Sequence, residues 1–112
     1  MSIQHKKLPN QSSLIYVQGR LDQSQNHILE EQLNQLLQSG YTRLIVDLAE
    51  TSYINSGGLR CLVSAWRQAR QLEGNLVLCG LSARLQEIFS MVGFDKVFTI
   101  YTNNESAKQA YQ

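Results

Sequence analysis

This chain predicts a single α/β domain built on a mixed sheet, and three observations carry that expectation. Short runs of branched and aromatic residues alternate with longer segments whose apolar residues recur at helical spacing. The first two strand-like runs are separated only by a turn and so form an antiparallel hairpin, whereas helices separate the later ones and make them parallel neighbours. At 112 residues the chain is one domain, 1–112, long enough to bury about two thirds of its unfolded surface without a metal or a disulfide.

The elements follow in order. Ile3 to Leu8 forms an edge strand. Pro9-Asn10-Gln11 supplies the turn, because proline has no N–H to give a continuing strand. Ser13-Leu14-Ile15-Tyr16-Val17-Gln18-Gly19 is the second strand, rich in residues that suit a pleated surface. Ile28, Leu29, Leu33, Leu36 and Leu37 then mark one face of a helix. Asp22 or Ser24 caps its start and Gly40 ends it.

Leu44 to Leu48 is continuously apolar apart from Asp47, the pattern of a strand covered on both faces. A polar connection leads to Tyr53-Ile54-Asn55-Ser56-Gly57-Gly58-Leu59-Arg60, which opens the next helix. In that helix Leu59, Leu62, Val63, Trp66 and Ala69 share a face, Arg60, Ser64, Arg67 and Gln71 point elsewhere, and Gly74 is the stop. Asn75 to Gly80 is another buried strand. Ser82 caps a short helix carrying Leu85, Ile88, Phe89 and Val92. Val97 to Tyr101 is the final strand. Thr102-Asn103-Asn104-Glu105 reads as a capping box for a last helix packed through Ala107, Ala110 and Tyr111.

Composition narrows the function. Apolar residues make up 43% of the chain and the net charge is +1, so no strong field favours nucleic acid or an anionic membrane. No apolar run approaches the ~20 residues of a membrane-spanning helix, and the N-terminal residues lack the apolar core of a signal peptide. Cys61 and Cys79 show neither zinc spacing nor a CxxC pattern and are expected to be reduced and buried. A cytoplasmic monomer is the default that these features leave.

Enzyme motifs fail one by one. Gly57-Gly58 lacks the lysine of a phosphate-cradling loop and the spacing of a dinucleotide fingerprint. A nucleophile elbow needs glycine two residues before the serine, where Ile54 stands. His5 and His27 have no context that marks a base. No catalytic residue, metal ligand or cofactor is therefore assigned, and the chain is not expected to be an enzyme.

Ser56 is the residue of interest. It stands where a buried strand gives way to a helix, and the unpaired N–H groups and dipole of a helix start favour negative charge. From pattern alone it reads first as an N-cap; a phosphate acceptor is the second reading, and the two roles are compatible. Asp22 reads as a helix cap, Asn55 as a turn residue tolerant of unusual backbone angles, and Gly57-Gly58 as a tight helix entry. Both loops fall at one end of the sheet, where partner sites gather. Arg60, Arg67, Arg70 and Arg84 form either a basic patch near that end or a solvated face.

Gly19-x-Leu21-Asp22, then Asp47-Leu48, then Tyr53 to Leu59 resemble the sulfate-transporter and anti-sigma-factor-antagonist (STAS) domain, more closely its bacterial anti-sigma factor antagonists. The resemblance spans nearly the whole chain. It implies a mixed sheet of four or five strands flanked by about four helices. It also implies partner switching without catalysis: Ser56 is phosphorylated by a partner that is both anti-sigma factor and serine kinase, the unphosphorylated form binds that partner, and a metal-dependent serine phosphatase restores it. Asp22, Asn55, Ser56, Gly57, Gly58, Leu59 and Arg60 become the partner-binding set, with no direct contact to nucleic acid or membrane. Three positions depart from the family pattern: Asn55 for the motif Asp, Gly57 for a second Ser or Thr, and Arg20 for a Glu found in some members. The competing expectations are a constitutive scaffold subunit of a transporter or lipid-trafficking complex, and nucleotide binding in the loops near Asp22 and Ser56.

Overall fold

Residues 2–112, which this computed structural model describes, run β1 (Ser2–Leu8), β2 (Ser12–Leu21), α1 (Gln23–Gln38), β3 (Arg43–Asp47), β4 (Thr51–Ile54), α2 (Ser56–Gln71), β5 (Asn75–Cys79), α3 (Ala83–Met91), a 3₁₀ turn (Phe94–Lys96), β6 (Ile100–Tyr101) and α4 (Asn104–Gln109). β1 and β2 pair antiparallel through the three-residue connection Pro9-Asn10-Gln11, in which Asn10 and Gln11 both take positive φ and the Ser12 N–H closes on the Pro9 carbonyl. All other strand pairs are parallel, in the order β1-β2-β3-β5-β6.

The sheet has six strands, one more than the four or five expected. The addition is β4, four residues that the sequence pattern divides between the polar connection and the stretch opening the next helix. β2 is long enough to serve two partners: Ser12–Tyr16 pairs with β3, and Gly19–Leu21 pairs with β4. The ladder shifts register between Gly19 and Arg20: Gly19 pairs with Thr51 and Arg20 with Tyr53, which leaves Ser52 as the extra residue of a bulge in β4, opposite a Gly19 at φ +93. The buried Thr51 hydroxyl donates to the Val17 carbonyl at 2.7 Å and fixes the junction.

Strand alternation divides the interior in two. Ile15, Val17, Leu44, Val46, Leu76 and Leu78 face α1, α2 and α3, which contribute Leu29, Leu33, Leu62, Ala65, Leu85 and Phe89. Leu14, Ile45, Val77 and Cys79 face the other way, under α4 and its Ala107. At roughly 1.5–3 kcal/mol for each large apolar side chain buried, the three-helix face supplies most of the cohesion. Phe98 anchors one corner, meeting Trp66, Phe89 and Phe94 edge-on at 6.1–6.3 Å. Among the described residues no helix is long and apolar enough to cross a membrane.

Several local expectations shift. Asn103, not Thr102, caps α4 by accepting from the Ser106 N–H, since Asn outranks Thr at that position; Glu105 pairs instead with Lys108 at 3.5 Å. Ala110 is exposed, as is Val92 at 49%, because both lie at frayed helix ends past the packed face. Trp66 and Val63 are half-buried at the edge of the core, and Cys61 and Ala65 take the inward positions of α2. The final strand shortens to Ile100–Tyr101 because the chain first makes the 3₁₀ turn.

Both long helices end in the same way. In α1 the N–H of Tyr41 reaches the Leu36 carbonyl and that of Gly40 the Leu37 carbonyl; in α2 Gly74 reaches Ala69 and Glu73 reaches Arg70. Gly40 takes the left-handed position in the first, at φ +90. Glu73 takes it in the second, at φ +65, so Gly74 is not the left-handed stop that its position suggests. Gly74 is needed for close approach instead: a Cβ there would strike the Thr42 carbonyl oxygen.

Candidate functional site

β2 and β4 end together, and each feeds a helix. Leu21 and Ile54 are the last residues of β2 and β4, lie opposite each other and are buried. Asp22 and Asn55 follow them as the N-caps of α1 and α2. The Asn55 N–H donates to the Leu21 carbonyl at 3.2 Å, which sets the start of α2 against the end of β2.

Asn55 is extended (φ −99, ψ 179) and so is not a turn residue with an unusual backbone. Its Oδ1 accepts from the Gly58 N–H at 2.9 Å and from Asn26 Nδ2 at 3.1 Å. Because Asn55 holds the cap, Ser56 does not; Ser56 is the first residue inside the helix. Its side chain is exposed and its hydroxyl is outside the capping bonds. The N–H groups of Ser56 and Gly57 belong to the first turn and have no intrahelical carbonyl to bond. An anion on the Ser56 oxygen would therefore face open donors and the positive end of the dipole.

The two glycines serve packing rather than flexibility. A Cβ on Gly58 would come within 2.9 Å of Ile54 Cγ1 and 3.0 Å of Leu21 Cδ2, so the first turn of α2 rests directly on the two strand ends. A Cβ on Gly57 would strike the Asn26 amide. Gly58 and Leu59 (8% exposed) turn inward, whereas Asp22, Asn55 and Gly57 are partly exposed and Ser56 and Arg60 are exposed. The predicted set thus divides into a rim that faces solvent and a footing that holds it.

Beside this rim, Asp22 Oδ1 accepts from the Ser24 hydroxyl at 2.7 Å and the Ser24 N–H at 3.2 Å. The Ser24 hydroxyl above all, helped by its N–H and by Arg20, holds the Asp22 carboxyl below its ordinary pKa. Arg20 lies over the Tyr53 ring, 4.2 Å from its centroid, which joins the ends of β2 and β4 on the outside. At the end of β3, opposite Tyr16, Asp47 accepts from the Ala49 N–H and from Asn104 Nδ2, both at 2.9 Å, and so ties α4 to β3. Burial first, and Asp47 second, push the Cys79 thiol up to about 12. Both cysteines are free and buried.

Arg60 and Arg67 line a groove of about 530 Å³ along α2; Arg70 and Arg84 lie outside it. His27 shares a second groove with Gly57, Arg60 and Cys61, while His5 is distant and contacts Gln32. Among the described residues no three His, Cys, Asp or Glu side chains converge as a metal site would need. Sequence reasoning overlooked Asn26. Its signal was a polar residue three before Leu29 and seven before Leu33, on the inward stripe of α1.

The STAS domain model matches residues 3–107. BtrV of Bordetella bronchiseptica is 33% identical over 96 residues, covering 86% of this chain and 83% of its own. The anti-sigma-B factor antagonist of Listeria monocytogenes is 33% identical over 100 residues, 89% of this chain and 88% of its own. The anti-sigma factor antagonist SpoIIAA, in its unphosphorylated form, superposes with a TM-score of 0.79 at 16% identity, over 97% of this chain and 96% of its own. The phosphorylated form of the Bacillus protein gives 0.78 at 17% identity, over 97% and 99%. At such identities the structural likeness is one of fold.

Proposed function

The chain belongs to the STAS domain family, and on that premise we propose that it is an anti-sigma factor antagonist whose partner choice is controlled by phosphorylation of Ser56. In this reading the protein is a non-catalytic binding module. The unphosphorylated form holds an anti-sigma factor that is also a serine kinase and so frees a sigma factor. Phosphorylation ends that hold, and a serine phosphatase resets the cycle. Asp22, Asn55, Ser56, Gly57 and Arg60 form the surface that meets the partner, and Gly58 and Leu59 keep its shape.

The observation that supports this best is the division of labour between neighbours: Asn55 caps α2, which leaves the exposed Ser56 hydroxyl uncommitted. The relatives named as antagonists agree with it, as does the existence of SpoIIAA in both phosphorylation states. A phosphate adds about −1.5 to −2 charges. The helix start stabilises that anion by roughly 0.3–1 kcal/mol, so the fold survives the modification. Reversing occupancy from about 99:1 to 1:99 takes about 5.5 kcal/mol of differential affinity. Bulk and desolvated charge inside a contact of roughly 800 Å² per side are of the right size to supply it.

Incubation with the cognate kinase and ATP, followed by intact mass, is the direct experiment. One phosphate is expected on the wild type and none on Ser56→Ala; equal addition to both removes the assignment. Ser56→Asp is expected to weaken binding to the anti-sigma factor while leaving Tm within a few degrees.

A further inference from the structure

We infer that the groove along α2 is a docking site for an acidic amphipathic helix of the protein partner, one that presents carboxylates seven residues apart around a central apolar side chain. The inference rests on the partner-switching reading above and adds where, and by what chemistry, the partner is held.

Arg60 and Arg67 are seven residues apart on one helix, so they lie on nearly the same stripe and about 10 Å apart along the axis. Both line the groove, together with Val63, Ser64, Gln71 and Phe94. No acidic residue lines it. Among the described residues the only ion pair is Lys108–Glu105, so neither guanidinium has a carboxylate partner within the protein. Two unpaired cations thus flank an apolar floor of half-buried Val63 and Phe94.

That floor is built rather than incidental. Phe94 rests edge-on against Phe98, which is 4% exposed and is held in turn by Trp66 and Phe89. A wall fixed in this way loses little freedom when something binds to it. A helix laid in such a groove anchors through side chains at i, i+4 and i+7. Complementarity then fixes their kinds: acid, apolar, acid. Arginine forks favour carboxylates, and the charge match sets partner and register.

The groove also begins, at Arg60, close to the proposed switch. Arg60 stands one helical turn after Ser56, at the i,i+4 distance at which side chains on a helix interact. A docked helix whose first carboxylate meets Arg60 would lie beside the Ser56 oxygen, where a phosphate repels it.

The test is a backbone amide NMR titration of the full chain with a synthetic helical peptide of roughly 18 residues, long enough to hold some helix alone. The peptide carries Glu, Leu and Glu at i, i+4 and i+7; a control peptide carries Lys in place of both Glu. The expected result is saturable shifts at Arg60, Val63, Arg67 and Phe94 with the Glu peptide only, weakened by raising salt. Arg67→Glu should lower affinity for the Glu peptide at least about tenfold and raise it for the Lys peptide. Equal binding of the two peptides, indifference to Arg67→Glu, shifts centred elsewhere, or no binding at millimolar peptide would each overturn the inference. None of these outcomes depends on whether Ser56 accepts phosphate, so the two readings fail separately.

Discussion

Asn26 on α1 donates through Nδ2 to Asn55 Oδ1 at 3.1 Å, and Gly57 is the residue that leaves room for it to do so. The start of the Ser56 helix is thus held from the neighbouring helix as well as from its own strand.

The first prediction tests that lock. Alanine is favoured over glycine by roughly 1 kcal/mol in a helix, yet Gly57→Ala should be neutral or destabilising because the new methyl displaces the Asn26 amide. In an Asn26→Ala background the same change should stabilise, giving a coupling of about 1 kcal/mol in urea unfolding. Additive effects would mean that Asn26 does not restrict residue 57.

Loss of the cap should cost more than loss of the acceptor. Asn55→Ala removes the bond to the Gly58 N–H and strands the Asn26 amide, and is expected to lower stability by about 1–2 kcal/mol. Ser56→Ala removes no capping bond and should change stability by less than about 0.5 kcal/mol. Paired thermal melts of the two variants give the comparison.

Glu73 offers a stabilising change. It occupies the left-handed position that Gly40 fills at the end of α1, and a side chain there costs roughly 1 kcal/mol. Glu73→Gly should therefore raise Tm by several degrees, whereas Gly74→Ala should lower it because of the Thr42 carbonyl. A fall in Tm for Glu73→Gly would count against the assigned helix end.

Acid titration should report Asp22. Its folded-state pKa is depressed, so its stabilising effect is present above the unfolded value near 3.8 and is lost as pH falls through the lower folded value. The stability difference between wild type and Asp22→Asn should hold steady from pH 7 to about 5 and shrink below about 4. A difference independent of pH would show that the Ser24 contacts do not favour the charged form.

Cys79 acts at the other end of the scale with the opposite sign. A thiol raised from 9.0 to about 12 stabilises the folded state fully below its unfolded pKa, and that contribution is lost as pH climbs toward about 12. Wild-type urea midpoints should fall above about pH 9 more steeply than those of Cys79→Ala. Alkylation of the folded protein at pH 8 should also be far slower than of the unfolded chain, since the thiolate is the reactive form. Rapid labelling of folded Cys79 would contradict its burial.

Much of this architecture was legible from periodicity. The Leu stripes of α1 and the apolar runs of β3 and β5 are local patterns, and they lie where the pattern puts them. What escaped is set by distant partners. β4 is four residues long and is a strand only because the end of β2 pairs with it. That pairing also decides the cap: with Ile54 held as the last strand residue, Asn55 becomes the extended residue before α2 and Ser56 moves inside. Serine and asparagine cap about equally well, so local preference could not separate them. Asn26 and the second role of Gly57 were hidden for the same reason, since their contact joins residues 29 positions or more apart.

The opposite end of the sheet has a practical use. There the hairpin at Asn10 and Gln11, the Gly40 corner and the Glu73 corner cluster, linked by the Arg43 N–H to the Gln11 carbonyl and the Asn75 N–H to the Thr42 carbonyl, and the Tyr111 carbonyl accepts from the Asn10 side chain. In a molecule 32 Å along its longest axis, a dye, resin linker or reporter fused at that pole stands a whole strand length from the serine. Immobilised by that handle, the protein would present its working surface outward in a single orientation, suited to surface-based binding assays.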